Sequence, residues 1–211
     1  MLLVRKQNPK QIRDWDDLAR EGVSVITPNP KTGGGARLNY LAAWAYGLRK
    51  FGSDENATRD FVAQIYRNVA VLDSGARGAA MTFVERSIGD VLIAWENEAE
   101  LTLATRAAGE FEVIVPSVTL LAEPTVAVVD TFAKQHDTTA TAQAYLEYLY
   151  SPEGQALIAK HHFRPRQAAA AAGSTGTNAA LVSVGDLGGW DAVQKKHFAD
   201  GGLFDQMAKK P

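Results

Sequence analysis

Strand-like runs alternate with helical segments along this chain, and that order most limits what it can fold into. It predicts an α/β structure with a mostly parallel sheet and helices on its faces. "LLVRK" opens the chain as a strand, and "NPKQIRDWDDLAREG" reads as a turn and a short helix from about Ile12 to Arg20, stopped by Gly22. "VSVIT" is a β-branched strand. "ARLNYLAAWAYGLRKFG" places Leu38, Leu41, Ala42, Ala45 and Leu48 on one helical face, and Gly52 closes the helix. "SDENATRDFVAQIYRNVAVL" reads as a further helix, with Phe61, Ile65 and Val69 at four-residue spacing and Ser53 and Asp54 as candidate caps. "DSGARGAAMTFVERSIG" is a turn and a helix, and "DVLIAW", apolar on both faces, is a central strand. "FEVIVP" and "TLLAEPTVAVV" read as two more strands, and "TTATAQAYLEYLYSPEGQALIAKHH" as two helices either side of a Ser-Pro-Glu-Gly break. "AAAAAGSTGTNAA" reads as a flexible low-complexity connector, and "WDAVQKKHFADGGLFDQMAKK" as a short C-terminal helix.

Composition narrows the partners. The 211 residues suit one large domain or two small ones and can bury a real core. A net charge of −2 offers no basic surface to nucleic acid. With no cysteine, disulfides, thiolate chemistry and thiolate metal sites are excluded. No stretch reaches the roughly 18 to 20 continuous apolar residues of a membrane span. "MLLVRKQNPKQ" turns polar after four residues and does not read as a signal peptide.

Sheets of this kind bind ligands beyond the carboxyl ends of their strands. Three segments fall there: Thr32 to Ala36 with its three glycines, "DSGARG" from Asp73 to Gly78, and the residues around Trp95. The first two place small residues at a helix N-terminus. The leading N–H groups of a helix have no intrahelical partner, and the dipole adds partial positive charge. Glycine and alanine let an oxyanion approach those amides, and the Trp95 indole N–H can only donate. Asp73 or Ser74 could instead simply cap a helix. Rival chemistries have less support. "TGGGAR" matches neither the P-loop nor G-x-G-x-x-G. His161 and His162 would diverge by roughly 100° on a helix, a poor chelate. Ser74 has no His and Asp at triad spacing. Glu85, Glu96 and Glu98 read as solvated or salt-bridged carboxylates.

Taken with "VITPNPKTGGGARLNYLAAWAYGL", "VLDSGARGAAMTFVERSIGDVLIAWENEA" and "AYLEYLYSPEGQALIAKHHFRPR", the chain resembles the periplasmic sulfate-binding proteins, the solute-binding subunits of sulfate and thiosulfate ABC importers. The resemblance implies a type II periplasmic-binding-protein fold of two α/β lobes closing on the anion. Residues 1–113 would form the second lobe. Residues 118–211 would form the returning part of an incomplete first lobe, with an exposed hydrophobic face and strand edge. It further implies sulfate or thiosulfate held by uncharged donors, with no cofactor, no metal and no catalysis. The donors would be the backbone amides of Gly33, Gly34, Gly35 and Ala76 and the indole of Trp95. Ser74, Gly75, Arg37 and Arg77 would support the local geometry. Gly33 stands where the family pattern has a serine whose hydroxyl donates to the anion. The implied setting is a periplasmic monomer delivering its ligand to membrane permease subunits. Asp73 is expected to face its own turn as a cap, since an acid in the pocket would favour protonated phosphate. The alternatives are an enzyme using the same helix N-termini and a fragment that no longer binds.

Overall fold

Continuous burial along three short strands builds the centre of the fold. The computed structural model describes residues 1–105, 109–166 and 179–208. The chain divides into two compact units, Met1–Ala122 with Thr177–Pro211, and Glu123–Gly176. In the first unit, β1 (Leu2–Arg5), β2 (Val25–Pro28), β3 (Val69–Asp73), β4 (Val91–Ile93) and β5 (Phe111–Ile114) form one sheet in the order β3-β2-β4-β1-β5. β2 runs parallel to β3 and β4, whereas β1 is antiparallel to β4 and β5. "DVLIAW" does supply the central strand. Leu2, Val4, Val25, Val91 and Ile93 enter one core, and Leu3, Ile26 and Leu92 enter a second. Successive strand residues point to opposite faces, so a strand covered on both sides must be apolar throughout.

α2 (Gly34–Lys50) is buried on more than the one face expected of it. Tyr40, Leu41, Ala42, Ala43, Trp44 and Ala45 are all buried, while Leu38 and Leu48 are only partly so. Its cover comes from the sheet, from α3 (Glu55–Arg67), from β6 (Val118–Leu120), and from a C-terminal segment of α9 (Gly189–Val193), a π-helical turn at Gln194–Phe198 and α10 (Leu203–Ala208). Tyr40 alone packs its ring against Trp44, Tyr66, Phe198 and Phe204, with centroids 5.2 to 6.2 Å apart.

Elsewhere the elements differ from the sequence reading in identifiable ways. α1 is only Trp15–Leu18, because Asp14 and Asp17 form a reciprocal capping box that fixes its start. α3 is capped by Asp54, whose side chain accepts from the Asn56 and Ala57 amides. It ends at Arg67, so Val69 belongs to β3 and not to the helix. Asn68 makes the break by donating its side-chain amide to the carbonyls of Leu18 and Arg20, both at 2.8 Å. Of "TLLAEPTVAVV", only the start is strand: β6 (Val118–Leu120) pairs in parallel with β7 (Ala180–Val182). Most of the small-residue stretch read as a connector lies outside the described residues, and Ala180, its last residue, opens β7. The C-terminal helix is two helices joined through the π turn.

The second unit contains α6 (Asp130–Gln135), α7 (Thr139–Tyr148) and α8 (Pro152–Lys160). Ser151 caps α8 by accepting from the Gly154 amide at 3.0 Å. Gln155, 3% exposed, donates to Leu149 O and accepts from the Arg166 amide, both at 2.7 Å. Among its described residues Ala133 is the one buried apolar side chain.

Candidate anion-binding site

Two helices, α2 and α4 (Ala76–Val84), begin side by side at the carboxyl ends of the adjacent parallel strands β2 and β3. The strand pairing continues into the loops, where the Asn29 amide donates to Asp73 O at 2.8 Å. The Thr32 hydroxyl then joins the loops by donating to Ser74 O at 2.9 Å. α1 and α3 carry side-chain caps and acids in their first turns. α2 and α4 have neither: their N-caps are Gly33 and Gly75, both extended, with no side-chain hydrogen bond and no acid in the first turn. The amides of Gly34 and Ala76 therefore head two bare, partly positive helix ends.

The three glycines have different reasons to be glycine. None has a positive φ, so backbone conformation does not require them. A Cβ on Gly35 would lie 2.9 Å from Trp95 Cζ2, so the indole ring occupies that space. A Cβ on Gly34 would meet nothing within 4 Å. Gly33 is the N-cap, and its own amide already donates to Asn29 O at 3.0 Å. Asn29 O also takes the Thr32 amide at 3.1 Å, and its side-chain oxygen takes the Lys31 amide at 2.9 Å. The whole loop is thus wound on Asn29, a turn chemistry characteristic of asparagine. The sequence reading took Thr32 only as the start of the glycine segment and passed over Asn29 and Lys31; "PNP" before the glycines was the available signal.

Trp95 precedes α5 (Glu96–Thr105) and lays its ring on the first turn of α2. Its indole N–H donates to Gly35 O at 3.3 Å. Asp73 does not cap α4. Its carboxylate accepts from Thr82 Oγ1 at 3.2 Å along the helix, and its other oxygen is buried without a partner among the described residues. Arg37 turns away from the glycine amides, donating to Pro30 O at 3.1 Å and to Gln194 Oε1 at 2.8 Å. Arg77 is mostly exposed and lies 3.7 Å from Glu98. The structure thus brings Gly33 against Ser74 O and Gly35 against the Trp95 ring, with Gly34 between them. The arginines are not among the groups it gathers there.

A family model described as bacterial extracellular solute-binding protein matches residues 1–164. The chain belongs to that family. It is 55% identical over its whole length to the sulfate-binding protein of Salmonella typhimurium, of which it covers 65%. It is 46% identical over 98% of its length to a thiosulfate-binding protein of Pseudomonas aeruginosa, covering 63% of that protein. Among solved structures, the sulfate-binding protein SubI from Mycobacterium tuberculosis superimposes with a TM-score of 0.80 at 37% identity, over 92% of this chain and 66% of SubI. The chain therefore spans just under two thirds of the length of these relatives.

Proposed function

We propose that this chain binds sulfate or thiosulfate without transforming it, as the solute-binding component of an ABC importer on the outer side of the bacterial membrane. The observation that carries this reading is the pair of adjacent, uncapped, acid-free helix N-termini of α2 and α4. Gly34, Gly35 and Ala76 present amide donors there. The Trp95 indole lies at the same turn and would donate by leaving Gly35 O. Gly33 contributes shape, since its amide is engaged by Asn29. Names of relatives at 55% and 46% identity support the choice of anion. A site made only of donors suits fully deprotonated sulfate, whereas phosphate keeps a proton that wants an acceptor. Asp73 is the one acid in these loops, and its bonded oxygen faces Thr82. The division into a second lobe at 1–113 and part of a first lobe at 118–211 belongs to this proposal. The compact units group residues differently, because β7 pairs with β6 and the C-terminal segment packs on α2.

Calorimetric titration with sulfate, thiosulfate, phosphate and molybdate tests the reading. We expect sulfate or thiosulfate to bind most tightly and to be recovered unchanged. Turnover of the anion, or tighter binding of phosphate, would overturn it.

A further inference from the structure

The two cations closest in sequence to the glycine loop, Lys31 and Arg37, both reach into a segment more than 150 residues away. Lys31 Nζ donates to Phe198 O at 3.1 Å, to Asp205 Oδ2 at 3.0 Å and to Asp200 Oδ1 at 3.3 Å. Arg37 donates through Nη1 to Gln194 Oε1 at 2.8 Å, and its guanidinium lies 5.3 Å from the Phe198 ring centroid. Through Nε it also holds Pro30 O, within the loop itself, at 3.1 Å. The receiving groups are set by local structure. The π turn, closed by the Ala199 amide on Gln194 O at 2.8 Å, brings the Gln194 side chain and the Phe198 carbonyl to the same loop. Asp205 is held in turn by the Gly201 amide at 2.9 Å. π turns recur where a helix re-aims groups for function.

We infer that residues 194–205 brace the anion loop: Lys31 and Arg37 are positioning residues that fix Asn29–Ala36 from behind, and they do not act on the anion through their charge. This rests on the anion-site reading above for its effect on affinity, but the brace itself can be measured without ligand. A cation that acted directly would be helped by removing a neighbouring carboxylate, so Asp205→Asn would tighten binding. A brace predicts the opposite sign. Lys31→Met and Asp205→Asn should each weaken sulfate or thiosulfate binding by about tenfold, the size of one charge-assisted hydrogen bond. The double variant should lose little more than either single one, as residues sharing one interaction do.

In the ligand-free chain, hydrogen exchange at the Thr32, Gly33 and Ala36 amides, each bonded within the loop, should accelerate in both single variants. Unchanged exchange at those amides, or tighter anion binding by Asp205→Asn, would overturn the brace. Accelerated exchange in the variants, with a wild-type chain that binds neither anion, would leave the brace standing and overturn the anion reading.

Discussion

At position 33 a side chain would be accommodated. A Cβ built on Gly33 meets Ala36 Cβ and Ser74 O at 3.6 Å and Asn29 O at 3.7 Å, all ordinary contacts. A serine there would place a hydroxyl at the mouth of α2, where it could donate to a bound anion. A hydrogen bond to a charged group contributes roughly 1.5 to 3 kcal/mol. Gly33→Ser should therefore bind sulfate about ten- to a hundredfold more tightly than the natural chain. Equal affinities in paired titrations would show that the hydroxyl is not aimed at the anion. A serine at an N-cap also accepts from helix amides, so a gain at the low end would mean that it divides its time between helix and ligand. Position 35 is different. A Cβ there would lie 2.9 Å from the Trp95 ring, so its glycine makes room for the indole. Residues 60 apart in sequence make this contact, and nothing local to "TGGGAR" could reveal it.

Among the elements, the C-terminal segment contributes the most that sequence patterns did not show. His197 is 3% exposed, with Nδ1 2.9 Å from Tyr40 Oη and its ring edge-on to Trp44 at 4.6 Å. Burial, reinforced by neighbouring Lys196 and opposed by Glu55, pushes its pKa down from 6.5 to about 4. Tyr40 and Tyr66, the other titratable groups packed there, are held protonated by burial, their pKa values pushed well above the ordinary 10. The folded state therefore favours neutral His197. The unfolded chain takes up the proton first as pH falls below 6.5, so stability is lost between about pH 6.5 and pH 4 and levels off below. The loss is on the order of 3 kcal/mol. Urea denaturation at pH 7 and pH 4 should show it, and His197→Phe should remove that share of the pH dependence; an unchanged pH profile in the variant would contradict it.

The strands and α2 were legible because β-branched runs and continuous apolar stretches have few other uses. β3 and β7 were not: Phe61, Ile65 and Val69 keep a helical spacing across Asn68, whose side chain ends the helix by donating to Leu18 O and Arg20 O, and β7 opens in what reads as a connector. The partners of Tyr40 reach as far along the chain as Phe204, beyond any periodicity.

At the scale of the whole molecule, apolar surface is unevenly distributed. Among the described residues, eight of the sixteen large apolar side chains left exposed lie within 123–166, including Val129 and Phe132 at 62% and Tyr145 at 63%. In that unit α7 buries no residue at all. Helices gain most of their stability from packing an apolar face, and here those faces are open. This meets the expectation of an exposed hydrophobic face in the C-terminal half. The dye ANS should bind the natural chain. The double substitution Phe132→Ser, Tyr145→Ser should reduce its fluorescence while shifting unfolding free energy by no more than about 1 kcal/mol, as surface changes do. Undiminished dye fluorescence would place the accessible apolar surface elsewhere.

The first unit has the opposite character. Leu2 and Val4 of β1 belong to one core and Leu3 to the other, and Val91, Leu92 and Ile93 of β4 are shared in the same way. A strand cannot release its odd residues and keep its even ones in register. The two cores consequently have no independent melting transitions. Damage on either face of the sheet is transmitted to the other as a loss of cooperativity, and the loops at the strand ends inherit the rigidity of both.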